Sequence, residues 1–494
     1  MLRFKDIPIR VKNPSSANFT NRQDVRPVRK NQILDLKINR LAFGGAGIAH
    51  VDNYIIFVGN EAVPGQIVRA QITQAKSTFA EAKIREIIKP SEQEIPALCP
   101  YFHHCGGCKH QNIPYKAQTD YFHEQIAEIY QHLGQFTDVE VQPTIPSQKT
   151  LRYRNKMEFA FSNRRWRIGQ NDAEKPEDFA LGLRVPGNYM KAIDIDDCLI
   201  APEETPTVLR IVRTFSLENH LTAFDTIRHD GFLRHLVLRK GERTGNLMIN
   251  IVTHDDSPKI FEPLIAKLIK ALPNLVSFVN TVTRAVSGTT IGEKTNLLFG
   301  QDFIEEKLGD LSFKISPASF FQTNTGMAEK LYETIRAAAG VRKTETVWDL
   351  YCGTGSISLF LASAAKQVVG FEIVPSAIQD AVANASRNGI DNAQFILGDL
   401  DQFFRKSPEL AHDSPKPDVL IIDPPRIGMH PKLVQDILPL NPSRIVYISC
   451  NPSTQVRDLK TIVQTGDYKI ESVQPIDLFP HTPHIEVVTK LTRF

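Results

Sequence analysis

Three patterns of apolar spacing follow one another along the chain. From residue 32 to about 89, short runs alternate apolar and polar residues, as in Ile33-Leu34-Asp35-Leu36-Lys37-Ile38 and Gln66-Ile67-Val68-Arg69-Ala70-Gln71-Ile72. Turn residues punctuate them at Gly44-Gly45-Ala46-Gly47 and Pro64-Gly65. Strands this short with turns this close predict a small all-β barrel over 26–90. Residues 91–315 mix two periods. Residues 115–133 carry apolar side chains at helical spacing (Phe122, Ile126, Ile129, Leu133), whereas Met157-Glu158-Phe159-Ala160-Phe161 alternates as a strand. Residues 316–494 alternate buried-strand runs with helical stretches. The runs are Thr346-Val347-Trp348-Asp349-Leu350, Gln367-Val368-Val369-Gly370-Phe371, Phe395-Ile396-Leu397, Val419-Leu420-Ile421-Ile422 and Arg444-Ile445-Val446-Tyr447-Ile448. That alternation predicts a doubly wound parallel sheet. The fold class expected is thus multidomain: an all-β barrel, a central α+β domain and a Rossmann-like α/β domain.

Composition changes this picture little. A chain of 494 residues with 42% hydrophobic and 23% charged residues has the make-up of a globular protein. No apolar run approaches the ~18 residues of a membrane span, and the start lacks the apolar core of a secretory signal. A cytoplasmic monomer is expected. The net charge of +3 is small, but basic residues gather in the arm at 1–25, which holds Arg3, Lys5, Arg10, Lys12 and Arg22. Such an arm reads as disordered, able to touch phosphates or only to solubilise.

Four of the six cysteines lie in the first half: Cys99, Cys105, Cys108 and Cys198. The first three fall in Cys99-Pro100-Tyr101-Phe102-His103-His104-Cys105-Gly106-Gly107-Cys108, close enough to gather around one metal centre. Cys198 is the remaining ligand candidate in that half. Four thiolates suit zinc or an iron–sulfur cluster, and the spacing leaves both open. Leu151-Arg152-Tyr153-Arg154-Asn155-Lys156 and Arg164-Arg165-Trp166-Arg167 interleave basic and aromatic residues. That mixture suits phosphate contact with base stacking, or simply a solvated face. Arg152, Arg154, Lys156 and Arg165 are the RNA-contact candidates.

Nucleotide chemistry is written into the last third. Cys352-Gly353-Thr354-Gly355 turns tightly after the first strand of that region, and Glu372 ends the second. Gly353 and Gly355 allow a cofactor to approach the backbone, and an acid about twenty residues on can grip ribose hydroxyls. Ser358 stands where a dinucleotide fingerprint wants its third glycine. The stretch is instead similar to the S-adenosylmethionine site of class I methyltransferases. Asp423-Pro424-Pro425-Arg426 ends the fourth strand and Ser449-Cys450-Asn451-Pro452 follows the fifth. A lone cysteine there is more often an inert core thiol than a nucleophile.

Two resemblances decide between these readings. Residues 26–90 resemble the TRAM domain, an RNA-binding barrel. Nearly the whole chain resembles the iron–sulfur-containing RNA uracil-C5 methyltransferases of the ribosomal type, through the barrel, Cys99/Cys105/Cys108 with Cys198, and Phe320-Phe321-Gln322-Thr323-Asn324. Further matches are Asp349-Leu350-Tyr351-Cys352-Gly353-Thr354-Gly355, Asp423-Pro424-Pro425-Arg426, Ser449-Cys450-Asn451-Pro452 and His484-Ile485-Glu486-Val487-Val488. The resemblance implies a [4Fe-4S] cluster on the four cysteines and S-adenosylmethionine held by Gln322, Tyr351, Glu372, Asp399, Asp423, Gly353 and Gly355. It implies Cys450 as nucleophile, Glu486 as base, Asp423 against the uracil edge, and Arg426 among the RNA contacts. Ser356 departs from the asparagine common in the family. Ribosomal RNA is the substrate expected. Transfer RNA, or a non-catalytic role in ribosome assembly, is the alternative.

Overall fold

The computed structural model describes residues 26–59, 61–169, 176–400 and 414–494. The arm at 1–25 therefore lies outside the described residues.

The alternation at the start becomes six strands: β1 (Ile33–Lys37), β2 (Arg40–Leu41), β3 (Gly47–Val51), β4 (Tyr54–Val58), β5 (Ile67–Ala75) and β6 (Phe79–Lys89). They pair in the order β1-β5-β6-β4-β3-β2. Every second residue of β4 turns inward (Tyr54, Ile56, Val58) to meet Val68, Ala70 and Ile72 of β5. A period of two is what puts these on one face.

Helix α1 (Tyr115–Glu128) follows, and then the central sheet of β7 (Lys156–Ser162), β8 (Ala180–Val185), β9 (Asn188–Asp194), β10 (Leu233–Lys240), β11 (Leu247–Thr253), β12 (Leu275–Val282) and β13 (Lys294–Gly300). Its order is β13-β12-β11-β10-β7-β8-β9. Helices α2 (Thr205–Glu218) and α3 (Glu262–Ala271) cover it, through Val208, Val212, Leu264 and Leu268.

The hairpin β14 (Ile304–Leu308) and β15 (Leu311–Ile315) leads into α4 (Thr325–Ala339). Then come β16 (Thr346–Leu350), α5 (Ser356–Ala362), β17 (Gln367–Glu372), α6 (Pro375–Arg387), β18 (Ala393–Leu397) and β19 (Val419–Ile422). The chain finishes with α7 (Pro431–Ile437), β20 (Arg444–Ser449), α8 (Pro452–Val463), β21 (Tyr468–Ile476) and β22 (Glu486–Arg493). The sheet order β18-β17-β16-β19-β20-β22-β21 reverses direction between β16 and β19. Strands β16 to β20 are parallel and β22 runs antiparallel to β20. The switch between β16 and β19 opens a crevice at their carboxyl ends, where such sheets bind ligands.

Packing crosses the boundaries expected at 91 and 315. Phe122 and Ile126 of α1, with Tyr130 beyond it, share a buried cluster with Trp348, Leu420 and Tyr447 of the last sheet. Tyr130 donates to Gln455 Oε1 at 2.9 Å. Bridges Val141–Val473 and Ile145–Ile476 extend that sheet beyond β21. The hairpin β14–β15 buries Ile304, Leu308 and Phe313 against α4. Residues 115–145 and 304–315 are thus built onto the last sheet. Among the described residues no helix is long and apolar enough to cross a membrane.

Candidate active site

Cys450 stands between the end of β20 and the start of α8, on the crevice rim. Asn451 caps α8: its side chain accepts from the Ser453 N–H at 3.2 Å and donates to the Arg426 carbonyl at 3.0 Å. Thr454 Oγ1 donates to the same carbonyl at 3.3 Å. The loop after β19 is therefore pinned to the helix behind Cys450, and the Arg426 guanidinium lies within electrostatic reach of the thiol. Glu486 opens β22, is 6% exposed, and lies within electrostatic reach of both. Asp423, at the end of β19, faces the same space.

The charges here are unbalanced. Burial, then the Glu486 and Asp423 carboxylates, push the Cys450 thiol up to about 11, against the pull of Arg426. Burial and Asp423 raise Glu486 well above the carboxylate range, again opposed by Arg426. Burial and Asp349 raise Asp423 to about 7. Several acids share one guanidinium, so the ligand-free protein keeps Cys450 protonated at neutral pH. A cation brought in by a ligand lowers these values, as any positive charge beside an acid does. It follows that alkylation of Cys450 in ligand-free protein, followed by peptide mass spectrometry, accelerates from pH 7 to pH 10. Arg426→Ala slows it further at each pH, because its removal raises the thiol's pKa. Equal rates with and without Arg426 would refute this electrostatic account.

The cofactor turn lies beside this group. Asp349 is fully buried on β16, and its Oδ2 accepts from Ser358 Oγ at 2.5 Å while Oδ1 has no partner. Tyr351 and Gly353 take left-handed φ values of 68° and 55°. A side-chain carbon on Gly353 would meet open space, but one on Gly355 (φ 79°) would strike the Phe395 ring at 2.8 Å. Gly355 is thus required by packing, whereas Gly353 leaves the backbone bare toward the cleft. Glu372 accepts from the Gly353, Ile373 and Val374 N–H groups at 3.1, 2.8 and 2.9 Å. Tyr351, Glu372 and Asp399 line one cavity of about 400 Å³ with Pro425, Ile427 and Met429. Gln322 is buried at the entry to α4. An unsatisfied acceptor, a bare glycine turn and an acid at the end of β17 fit S-adenosylmethionine.

Cys99, Cys105, Cys108 and Cys198 line a second cavity, of about 320 Å³, with Tyr101, Phe102, Met157 and Ile195. All four are free thiols, and the Gly107 N–H donates to Cys105 Sγ at 3.3 Å. Burial pushes Cys105 up to about 11 and Cys108 to about 12. Among the described residues, no three ligand side chains converge on the position of a single ion. A zinc ion needs its sulfurs about 2.3 Å from one point. A cluster needs its thiolates spread more widely than a single ion does.

The basic candidates divide. Arg152 sits at φ 52° and turns inward, donating to Asp197 Oδ1 and the Cys198 carbonyl at 2.9 Å each. It holds the Cys198 turn. Arg165 is a correction: at 6% exposure, with Nε on the Pro176 carbonyl, it is too buried to meet RNA. Arg154 lies over the Phe479 ring, 5.9 Å from its centre, and Lys156 pairs with Glu158. Arg426 is exposed in the crevice beside Cys450.

Comparison with known proteins agrees with this geometry. Residues 27–84 match the TRAM domain, and residues 243–494 match the tRNA (uracil-5-)-methyltransferases. An uncharacterized RNA methyltransferase of Chlorobaculum tepidum is 40% identical, over 95% of this chain and 98% of its own. The chain belongs to the tRNA (uracil-5-)-methyltransferase family. A second RNA methyltransferase, from Halalkalibacterium halodurans, is 37% identical over 94% of this chain and 98% of its own. The Pyrococcus abyssi tRNA (uracil-54, C5)-methyltransferase, solved with S-adenosyl-L-homocysteine, superposes with a TM-score of 0.71. It is 27% identical, with 92% of this chain and 99% of that one covered. This family member is therefore an S-adenosylmethionine-dependent RNA methyltransferase. Two polar residues escaped the sequence reading: Tyr332, whose hydroxyl meets Ser356 Oγ at 2.8 Å, and Gln118, which hydrogen-bonds His481. Nothing local in the sequence marks either.

Proposed function

We propose that this methyltransferase adds a methyl group to carbon-5 of a uridine in RNA through a covalent adduct on Cys450. The observation that carries the reading is the meeting of Cys450, Glu486, Asp423 and Arg426 beside the cofactor cleft. Carbon-5 of uracil is too weak a nucleophile to take a methyl group unaided. The Cys450 thiolate adds to carbon-6, forming an S–C bond and an enolate whose carbon-5 is nucleophilic. S-adenosylmethionine would be held by Gln322, Tyr351, Gly353, Gly355, Glu372, Asp399 and Asp423, and would supply an electrophilic methyl group and a positive charge. Arg426 stabilises the thiolate, and Asp423 hydrogen-bonds the uracil edge. Glu486 then takes the carbon-5 proton. The C–H electron pair becomes the carbon-5–carbon-6 double bond, and Cys450 leaves as thiolate.

The uridine has to leave its stack to reach Cys450. Arg154, Lys156 and the TRAM barrel supply the flanking contacts. The four cysteines would hold a [4Fe-4S] cluster, in a structural role since methyl transfer needs no electron.

Ribosomal RNA is the substrate proposed. Transfer RNA is the second reading, favoured by what the Pyrococcus abyssi relative's name says of that protein. Mapping 5-methyluridine in ribosomal and transfer RNA, from cells with and without the gene, separates them. Loss of a ribosomal site is expected, and loss from transfer RNA alone would favour the second reading. An unchanged map in both would leave only the assembly-factor role.

A further inference from the structure

The base reaches the active site on an arc, residues 477–485, that joins β21 to β22. Hydrogen bonds from other parts of the chain hold this arc at several points. The Asn324 side chain donates to the Leu478 carbonyl at 3.0 Å, and the Tyr153 hydroxyl to the Pro480 carbonyl at 3.1 Å. Tyr115 donates to Asp477 Oδ2 at 2.8 Å. The densest contact is at His481, five residues before Glu486, where the backbone turns left-handed with φ 66°. A residue other than glycine holds that conformation only where its surroundings impose it.

One side chain imposes it from both sides. Gln118 of α1 is 2% exposed. Its Oε1 accepts from the His481 N–H at 3.1 Å, and its Nε2 lies 3.1 Å from His481 Nδ1. The same Nε2 donates to the His110 and Ile113 carbonyls at 2.8 and 2.7 Å. The Lys109 and His110 N–H groups in turn donate to the His481 carbonyl at 2.7 and 3.1 Å. Gln118 thus locks the arc to the strand of chain leaving Cys108. The barrel turn presses on the same junction, since a side-chain carbon on Gly45 would lie 3.1 Å from His110 Nε2 and 3.4 Å from Pro483.

We propose that Gln118 is a positioning residue for Glu486, acting by holding His481 left-handed so that the arc delivers the carboxylate to carbon-5. The proposal rests on the reading of Glu486 as the base. Proton removal demands that the acceptor come within hydrogen-bond reach of the C–H, so a displacement of the arc slows elimination and spares addition and methyl transfer.

The consequence is a kinetic signature that a merely structural residue lacks. When elimination slows, methylated RNA accumulates on Cys450, and the ratio of this adduct to released product rises whatever the amount of active enzyme. Gln118→Met keeps the side-chain volume and removes every side-chain hydrogen bond. We expect a roughly tenfold higher adduct ratio, with the KM for S-adenosylmethionine unchanged. His481 gives an independent route that leaves Gln118 intact. Valine is disfavoured at positive φ and glycine is not, so His481→Val stalls elimination about tenfold more than His481→Gly.

Glu486→Gln is run beside them. If it accumulates adduct while folded Gln118→Met keeps the wild-type ratio, or while valine and glycine at 481 behave alike, the positioning role is overturned and the base stands. If Glu486→Gln accumulates none, the base assignment falls and the positioning role falls with it.

Discussion

Cys450→Ala abolishes methyl transfer, whereas Glu486→Gln stops the enzyme with methylated RNA bound to it. The two effects differ because the residues act on opposite sides of the methyl transfer. Alanine at 450 removes the nucleophile, so carbon-5 never becomes reactive and the rate falls on the order of 10⁴-fold or more. Both ligands still bind, since neither the cofactor cavity nor the basic residues change. Glutamine at 486 keeps the shape and the hydrogen-bonding oxygen but cannot accept a proton. Addition and methyl transfer proceed once, and elimination slows by about 10²–10⁴-fold. A denaturing gel with labelled RNA reads the outcome: no shifted band for Cys450→Ala, an accumulated one for Glu486→Gln. A Glu486→Gln enzyme that turns over at the wild-type rate without such a band would assign the proton to another group.

Cys105→Ser costs the protein its iron and most of its RNA affinity together. Cys105 and Cys108 sit on a loop whose continuation, Lys109 and His110, is hydrogen-bonded to the arc before Glu486, while Cys198 is held by Arg152. If the four cysteines hold the proposed cluster, losing one thiolate releases it, and metal binding of this kind is itself folding energy. Iron content measured on protein purified without oxygen should be four per chain in the wild type and near zero in the variant, the count of a [4Fe-4S] cluster. RNA affinity should drop at least about tenfold, because Arg154 and Lys156 line the cluster cavity. Stoichiometric zinc without iron in the wild type would refute the cluster.

How much of this the sequence disclosed depends on the range over which each residue acts. The barrel and the parallel sheet were legible because alternation and buried runs are local properties of the chain. The places of Cys450, Asp423 and Glu372 were legible because each stands at a strand end, and strand ends in a doubly wound sheet open on the crevice. Helix α1 was not. Its periodicity says that Phe122 and Ile126 are buried, but not that they are buried against Trp348 of a distant strand. Arg152 and Arg165 read as an exposed basic stripe because charge patterning carries no information about which guanidinium finds Asp197 or a carbonyl. Arg426 read as an RNA contact, yet its guanidinium reaches Cys450 only because Asn451 and Thr454 hold its backbone. Gln118 and His481 are separated by 363 residues and share no motif, so their contact is visible only in three dimensions.

The central claim is that Cys450 bonds covalently to the uridine it methylates. RNA carrying 5-fluorouridine at the mapped site tests it on the unaltered enzyme, because fluorine at carbon-5 cannot leave as a proton does. Addition and methyl transfer proceed, elimination is blocked, and the complex persists through denaturation. Digestion and mass spectrometry should find a methylated fluorouridine on Cys450 and on no other residue. A complex attached elsewhere, or active enzyme that forms none with this RNA, would contradict the account.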